Sequence, residues 1–297
     1  MPTRLRPAAP RGPVPRPAVR SARLRRAVTA VAALAGTTAA LCLVPSAPAR
    51  ADEPEAYLQT RLQDPRITES SGLARSGYDN RVLWTHNDSG DEPRLFAVRD
   101  GATEAVVRLG GTSAYDWEAI SRYRSPSGRS WLYVGDIGDN AEARSEVVVH
   151  RVAEPTDLRD QTVWPTSYRM RYEDGRHDAE ALLVHPQTGR IYVVAKDGAG
   201  VYEAPETLDP EGVNVLRRVA WAPMTVTDGA FLFDGRMVLR NYTDAFVSRG
   251  PGQPQLVVRL PGTAQGESLA VAPGYQAVLI GSEGTNSPVF WQPLPSL

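Results

Sequence analysis

A short pattern recurs five times along this chain, and this repeat constrains the fold more than any other feature of the sequence. Each copy is a polar, usually acidic stretch that runs into small and aliphatic residues. The copies occupy residues 69–73, 116–120, 178–182, 227–231 and 265–269. Their last residues are 47, 62, 49 and 38 positions apart, a spacing typical of repeated supersecondary units.

Each copy is followed by short runs of β-branched, aromatic and aliphatic residues that have the length of strands. The second strands are predicted at 82–85, 132–135, 191–195, 237–241 and 277–281. Third strands follow at 95–98, 147–152, 201–204, 245–249 and 289–291, and outer strands at 105–109, 167–172, 215–219 and 255–260. No long amphipathic helix is predicted. Units of forty to fifty residues with four strands each indicate an all-β chain that folds as a single β-propeller.

The fifth unit lacks an outer strand of its own, because the sequence ends at Leu297. Residues 57–62 alternate as a strand does and would supply the missing one. The sequence therefore predicts five four-stranded blades in a ring that the N-terminal strand closes, which removes the open sheet edges. Six blades remain an alternative if the 62-residue step contains an extra hairpin, and a β-sandwich is a second alternative.

The N-terminal residues are predicted to be an export signal and not part of the propeller. Arg23, Arg25 and Arg26 precede an apolar run over 27–44, and Ala49-Arg50-Ala51 forms an A-x-A cleavage site. We expect residues 1–51 to be a cleaved signal peptide with an Arg/Pro-rich leader and 52–297 to be the secreted propeller domain. A retained membrane anchor is the alternative, and the route of export, general or twin-arginine, is open. Cleavage would also remove Cys42, the one cysteine, so the mature protein would have neither disulfide nor thiolate.

The charge of the predicted mature protein limits its partners. Nine of the 33 basic residues lie in 1–51, which contain no acid, so 24 basic residues face 34 acidic ones afterwards and the formal charge is −10. A body this acidic is a poor candidate for binding nucleic acid or an anionic membrane. We expect a monomer that binds a small molecule or a cell-surface or extracellular ligand, with no stable membrane insertion after cleavage.

Acidic and amide side chains collect on the loops of one predicted face. In a propeller, the loops that lead into the inner strands and those between the second and third strands share that face. The predicted metal ligands there are Asp88, Asp116, Glu118, Asp139, Asp178, Glu180 and Glu267. Carboxylate oxygens on irregular loops suit Ca²⁺, which takes six to eight hard oxygen ligands in flexible geometry. The alternative is structural, since Asp and Asn are common in tight turns because they bond the local backbone.

A few other side chains beside these loops are candidates for binding a ligand: His86, Trp117, His177 and Lys196. The four histidines share no metal-type spacing. Gly266-Glu267-Ser268 resembles part of a nucleophile elbow, but that motif needs a strand–turn–helix context, whereas this segment falls at a predicted inner strand. A serine nucleophile is therefore not expected.

Residues 67–101 are similar to the opening blade of bacterial secreted propellers called phytase-like. The features that carry the resemblance are Ser71-Gly72-Leu73, Leu83-Trp84, Asn87-Asp88 and Leu95-Phe96, with the later "DWEAI", "DAEAL" and "GESLA" segments. Gluconolactonase-like propellers are more distantly similar. The resemblance implies a Ca²⁺-dependent hydrolase of esters or phosphoesters. A phytase-type site needs several cations for phosphate, and the candidates here are Arg94, Arg144, Lys196 and Arg240.

Two functions follow from these observations. The first is an exported propeller whose acidic, Ca²⁺-binding loop face binds a ligand or partner. The alternative is a Ca²⁺-dependent ester or phosphoester hydrolase, in which Glu118, Glu180 or Glu267 binds the metal or deprotonates a metal-bound water. The sequence leaves open whether the chain is an enzyme at all, as well as its ligand and the identity of the metal.

Overall fold

The computed structural model describes residues 55–198, 200–274 and 276–297, and within them every regular element is a β-strand. Five strands are innermost, one from each sequence repeat. They are β2 (Ser70–Arg75), β6 (Trp117–Arg124), β11 (Ala179–Val184), β15 (Asp228–Phe231) and β19 (Leu269–Val271). Each contacts the next, and β19 contacts β2, so the inner strands form a closed ring of five.

Four antiparallel strands succeed one another outwards in each blade. The second strands are β3 (Val82–Asn87), β7 (Ser130–Asp136), β12 (Ile191–Ala195), β16 (Met237–Arg240) and β20 (Ala277–Ile280). The third strands are β4 (Arg94–Arg99), β8 (Val147–Ala153), β13 (Val201–Glu203), β17 (Asp244–Ser248) and β21 (Pro288–Pro293). The outer strands are β5 (Ala102–Leu109), β10 (Thr166–Tyr172), β14 (Val213–Ala220), β18 (Gln255–Arg259) and β1 (Tyr57–Arg61).

This arrangement confirms the predicted all-β propeller with five blades. It also confirms the closure of the ring, because the N-terminal β1 pairs antiparallel with β21 and so completes the fifth blade. Tyr57 stacks on Trp291 across that pair, with 5.2 Å between ring centroids. Immediately after β1, Leu62 is fully buried and its backbone N–H donates to the Ser287 carbonyl at 2.9 Å.

The long 62-residue step contains no sixth blade. It contains β9 (Gln161–Val163), a short strand that leaves the second blade and pairs parallel with β5 at the outer edge of the first. A second parallel pair joins β10 to β14, so the second and third blades form one eight-stranded sheet. The outer edges of three of the five blades are thereby covered by a neighbouring strand, which protects them from pairing with another chain.

The core lies between adjacent blades, where apolar side chains of neighbouring sheets pack face to face. Trp84 is fully buried in one such layer, and its indole Nε1 donates to Glu154 Oε1 at 2.9 Å. Buried tryptophans usually need a partner of this kind. Within the described residues, no helix is long and apolar enough to cross a membrane. The predicted signal peptide lies outside those residues and stays a prediction.

Candidate functional site: an acidic mouth at the centre of the ring

In three consecutive blades the inner strand begins with the same β-bulge. The pairing of inner and second strands skips one residue each time: Ser71 in β2, Glu118 in β6 and Glu180 in β11. A bulge leaves the extra residue outside the ladder and re-aims its side chain. In adjacent blades Ser71 Oγ donates to the Glu118 carbonyl at 2.9 Å and lies 3.2 Å from Glu118 Oε2. The bulges therefore turn these side chains toward one another at the centre of the ring.

The loops after the second strands close in a repeated way. The N–H of Asp88 donates to the Glu69 carbonyl at 2.9 Å, and that of Lys196 donates to the Asp178 carbonyl at 2.9 Å. In the fifth blade the Glu283 N–H donates to the carbonyl of Gln265 at 2.8 Å. These bonds bring the side chains of both loop sets to one end of the ring. We call this end, formed by Asp88, Asp116, Glu118, Asp178, Glu180, Lys196, Glu267 and Glu283, the acidic mouth.

Three carboxylates of the acidic mouth converge. One oxygen from each of Asp88, Asp116 and Glu118 lies within 4.8 Å of the other two, a spacing at which a single cation could bind all three. Glu118 is buried and the two aspartates are half-buried. Gly138 lies against the cluster, since a Cβ at this position would clash with Asp116 Oδ2 and Glu118 Oε1. A glycine at 138 therefore leaves space for these two carboxylates.

The electrostatics of this cluster favour a cation or protons. Burial, together with the nearby charges of Asp88 and Asp178, raises the pKa of Asp116 to about 6. Burial is also the main cause that raises the pKa of Glu118 well above its ordinary value, and the negative charge of Glu180 adds to it. The pKa of Asp88 is raised by its burial as well. The nearby positive charges of Arg144 and Lys196 do not offset burial and mutual repulsion in this cluster, and a divalent cation would do so.

Glu180 differs from Glu118 because it has a cationic partner. Its Oε1 accepts a hydrogen bond from Lys196 Nζ. Burial raises the pKa of Glu180 to about 7, although the Lys196 ammonium acts in the opposite direction. Lys196 is itself half-buried, which lowers its pKa, but the Glu180 carboxylate outweighs burial and raises it overall. The pair therefore combines a fixed positive charge with a carboxyl group that can exchange a proton near neutral pH.

A second carboxyl pair lies at the fifth blade. Burial, together with a hydrogen bond to Glu267, raises the pKa of Glu283 to about 9. Glu267 also accepts a hydrogen bond from Gln265 Nε2 at 3.0 Å. With this pKa, Glu283 keeps its proton at neutral pH and can share it with the Glu267 carboxylate oxygen that it contacts.

The remaining predicted ligands, Asp139 and Asp178, are engaged by backbone groups. The Asp139 carboxylate accepts hydrogen bonds from the N–H groups of Ala143 at 2.9 Å and Arg144 at 2.7 Å. Its own N–H donates to Asp178 Oδ1 at 2.8 Å. These contacts fix the loop between β7 and β8 and hold it against the third blade. Asp139 thus organises the mouth, and the structure does not bring it into the three-carboxylate cluster.

The predicted ligand-binding side chains divide into two groups. Lys196 lies in the acidic mouth beside Glu180. By contrast, Trp117 is fully buried, with its Nε1 3.2 Å from the Ser113 carbonyl, and it packs edge-on against His86, which is also buried. Burial lowers the pKa of His86 to about 4, so that its ring is neutral. His177 is held by Asp174 at 2.9 Å and by the Tyr202 hydroxyl at 2.8 Å.

Exposed aromatic residues beside the mouth were not predicted from the sequence. Tyr115 directly precedes Asp116 and is 67% exposed, with the Arg144 guanidinium over its ring at 4.8 Å. Tyr242 is also exposed and lies close enough to Lys196 to interact with it. Trp221 is 70% exposed in the segment between β14 and β15. The sequence signal for an exposed ring at the mouth was a tyrosine or tryptophan next to an acidic loop. That signal selected Trp117, because position 117 belongs to the repeat.

The cations considered for phosphate binding all have protein partners. Arg94 pairs with Asp91 at 2.6 Å and Arg144 with Asp136 at 2.8 Å. Arg240 is fully buried and donates through Nη1 to the carbonyls of Ser268 and Gly281 at 2.9 and 3.0 Å. With Lys196 bound to Glu180, the mouth offers little positive charge to a polyphosphate, which argues against an inositol phosphate as ligand.

The raised pKa values predict how the stability of the metal-free protein depends on pH. A carboxyl group whose pKa is raised on folding binds its proton more tightly in the folded state. Its contribution is therefore complete below the ordinary carboxyl pKa of about 4 and is lost as pH rises through the folded value. For Asp116, Glu180 and Glu283 these values are about 6, 7 and 9. In EDTA, we expect the melting temperature to fall between pH 5 and pH 9. A melting temperature that rises steadily over this range would contradict the electrostatics described here.

Together, these features define a five-bladed β-propeller with an acidic mouth at the centre of one face. No protein-family model matches the sequence, and no curated protein matches it. Among solved structures it is similar to a gluconolactonase from Xanthomonas campestris, at 16% identity and a TM-score of 0.47 over 82% of this chain and 96% of that one. A luciferin-regenerating enzyme matches at 10% identity and a TM-score of 0.47, over 80% and 94%. Similarity of this degree assigns no activity to the chain.

Proposed function

We propose that this protein is an exported β-propeller that binds a divalent cation, preferentially Ca²⁺, in its acidic mouth and uses it to bind an oxygen-bearing ligand. The convergence of Asp88, Asp116 and Glu118, with one oxygen of each within 4.8 Å of the others, carries the proposal. Isolated acids on turns have no reason to converge at a partly buried point. Three converging carboxylates repel one another unless protons or a cation compensate their charge.

The kind of ligand follows from the coordination positions that the three carboxylates would leave open on the cation. Three monodentate carboxylates supply three oxygens, whereas Ca²⁺ takes six to eight, so that water or a ligand would complete the coordination. The exposed ring of Tyr115 would pack against that ligand. Hydroxyl, carbonyl or single carboxylate groups fit this site better than polyphosphates, because the nearby cations are paired. A small molecule or part of an extracellular ligand with such groups is the proposed partner.

Terbium luminescence tests the cation site directly. Tb³⁺ replaces Ca²⁺ at oxygen sites and emits when an excited aromatic side chain lies close to it, as Tyr115 would here. We expect saturable emission that added Ca²⁺ abolishes. The Glu118→Gln variant removes the buried carboxylate with little change in shape and should lose the emission.

The matched control for this experiment is Glu206→Gln. Glu206 has an 84% exposed side chain and pairs with Arg190 on the surface, so its variant should bind Tb³⁺ as the wild type does. Equal emission from the Glu118→Gln variant and the wild type would refute the proposed site.

A second candidate function, Ca²⁺-dependent hydrolysis of an ester, lactone or phosphoester, is favoured by Glu180. With a pKa of about 7, this group suits a general base at neutral pH. It would accept a proton from an attacking water, while Lys196 would stabilise the carboxylate before the transfer. The resemblance to phytase-like and, more distantly, gluconolactonase-like propellers is compatible with this chemistry.

Turnover separates the two functions. Candidate substrates are p-nitrophenyl acetate, p-nitrophenyl phosphate and gluconolactone, each assayed with Ca²⁺ and with EDTA. If the protein is a hydrolase, Glu180→Gln should lower kcat by about 10²–10⁴-fold, the usual contribution of a general base, and leave Tb³⁺ emission in place. Absence of Ca²⁺-dependent turnover on all three, together with a functional cation site, would favour the binding function.

A further inference from the structure

A groove lies between the first and the fifth blades, beside the strand that closes the ring. The closing strand β1 contributes Tyr57, Gln59 and Thr60 to its lining. Two turns of the first blade also line it: Asn80-Arg81 between β2 and β3, and Asp100-Gly101 between β4 and β5. The acidic mouth is formed by the loops at the opposite ends of these strands, so that the groove is separate from the mouth.

Two aromatic rings and three buried apolar side chains line the groove. Leu83, Val98 and Leu279 are buried there. The rings of Tyr57 and Trp291 also line it, and they stack with 5.2 Å between centroids and 22° between planes. Tyr57 is nevertheless 51% exposed. The groove therefore offers a ligand a flat aromatic surface beside an apolar base.

The closing strand has a β-bulge at this groove. Its pairing with β21 passes from Leu58 and Phe290 to Thr60 and Val289, and it skips Gln59. In a regular strand successive side chains point to opposite sides, whereas here both Gln59 and Thr60 line the groove. Bulges re-aim side chains and are frequent beside functional sites. The bulge thus brings an additional polar residue to the groove without opening the ring.

The polar side chains of the groove carry no net charge and can still form hydrogen bonds. Gln59 is exposed and has no hydrogen-bond partner among the residues that the structure describes. Asn80 accepts a hydrogen bond from Arg75 through Oδ1, which leaves its Nδ2 group to donate elsewhere. Arg81 and Asp100 pair with each other across the two turns. Together they offer donors and acceptors, and they suit hydroxyl groups better than an ion.

The groove is preformed. Asp100 and Gly101 have φ values of 50° and 94°, as in a tight two-residue hairpin turn. The Gly101 carbonyl accepts a hydrogen bond from the Gln63 N–H at 2.9 Å, which fixes this turn to the segment that follows β1. The volume of the groove is about 440 Å³, within the range of roughly 300–1,000 Å³ for small-molecule sites.

We propose that this groove binds a neutral carbohydrate, with one pyranose ring packed on Tyr57 and its hydroxyl groups bound at Gln59 and Asn80. A pyranose with equatorial hydroxyl groups has C–H groups on its faces, and these are attracted to the electron-rich face of an aromatic ring. Its hydroxyl groups lie around the edge, where the polar side chains of the groove can reach them. β-Linked glucose and N-acetylglucosamine have this shape.

Saturation-transfer NMR of the full chain with cellobiose and with N,N′-diacetylchitobiose tests the proposal. We expect saturable transfer to the C–H protons of the sugar ring for at least one of the two. Sorbitol has similar hydroxyl groups but no ring, and it should bind about tenfold more weakly because it cannot pack on Tyr57. Binding of neither disaccharide would overturn the proposal, and so would equal binding of sorbitol.

Variants assign the bound sugar to the groove. Tyr57→Ala should weaken binding by about tenfold, whereas Tyr57→Phe keeps the ring and should bind as the wild type does. Gln59→Ala loses no contact within the described protein, so it should fold normally and weaken binding by about two- to tenfold. The control is Trp164→Ala, which removes a 76% exposed ring that does not line the groove. The melting temperature of each variant checks its folding.

Removal of metal distinguishes this groove from the acidic mouth. Sugar binding in the groove needs no cation, so it should be the same in EDTA and in Ca²⁺, whatever the outcome of the terbium experiment. Binding that requires Ca²⁺ would place the sugar in the acidic mouth and overturn the proposal. Unchanged binding by both Tyr57→Ala and Gln59→Ala would overturn it as well.

Discussion

Removal of the N-terminal strand is expected to destabilise the whole propeller and not only its fifth blade. A variant that begins at Gln63 loses β1, its pairing with β21, and the buried Leu62. The ladder hydrogen bonds contribute about 0.5–1.5 kcal/mol each, the Tyr57–Trp291 stack about 0.5–1.5 kcal/mol, and the buried leucine about 2–5 kcal/mol. The sum is a large part of the roughly 5–15 kcal/mol that stabilises a typical protein.

The reference for this experiment is a variant that begins at Ala56 and therefore keeps β1. We expect the chain that begins at Gln63 to unfold at a clearly lower denaturant concentration and to self-associate, because it exposes the edge of β21. Guanidinium titration and size-exclusion chromatography measure the two effects. Equal midpoints and a monomeric elution would show that β1 does not close the ring.

Calcium is expected to raise the melting temperature of the EDTA-treated protein in a saturable way. At a hundredfold excess over Kd, binding to the folded state adds about 2.7 kcal/mol to the free energy of unfolding. For a domain of this size each kcal/mol corresponds to about 2–4 °C, and the increase should therefore be about 5–10 °C. Mg²⁺ should have a smaller effect, because it prefers a rigid octahedral site and keeps its water. The increase should also be larger at pH 8 than at pH 5, where protons compete for the carboxyl groups.

The variant Glu118→Gln separates this explanation from a purely structural role of the acids. The buried carboxylate of Glu118 lies among Glu180, Asp88 and Asp116, so its removal relieves repulsion. We expect the variant to melt in EDTA at or above the temperature of the wild type and to show no response to Ca²⁺. A large decrease of the melting temperature in EDTA would instead mean that Glu118 stabilises the fold. Glu206→Gln again serves as the surface control.

The fold could be predicted from the sequence because the repeat identifies where each blade begins. Each blade begins with the same kind of segment, and the distances between segments leave space for four strands. The contacts between blades could not be predicted in this way. β9 is three residues long, without a pattern of its own, and the parallel pair of β10 and β14 depends on how closely two outer edges approach in space.

The acidic mouth was only partly predictable, for a similar reason. The repeat identified Glu118 and Glu180 as equivalent, and the structure brings both to the centre. The repeat could not show the β-bulges that re-aim the Glu118 and Glu180 side chains, because a residue skipped in the strand pairing has no characteristic sequence pattern. The same one-residue shift explains Trp117, which shares its repeat with the acids but turns into the core. Tyr115, two residues earlier, is the exposed ring.

Because β10 pairs with β14, the second and third blades should move relative to each other less than the other blades do. The second and third blades share one continuous backbone ladder, whereas the described strands of the fourth and fifth blades form separate sheets. Glu118 and Glu180 belong to the joined blades, so their separation should hardly vary as the molecule fluctuates. Glu267 and Glu283 belong to the fifth blade, whose described strands form a separate sheet, whereas the blade of Asp88 is tied to the second through the pairing of β9 with β5. Adjustment of the mouth around ligands of different size would therefore take place on the side of the fifth blade, and backbone amides there should exchange hydrogen sooner than those of the fused sheet.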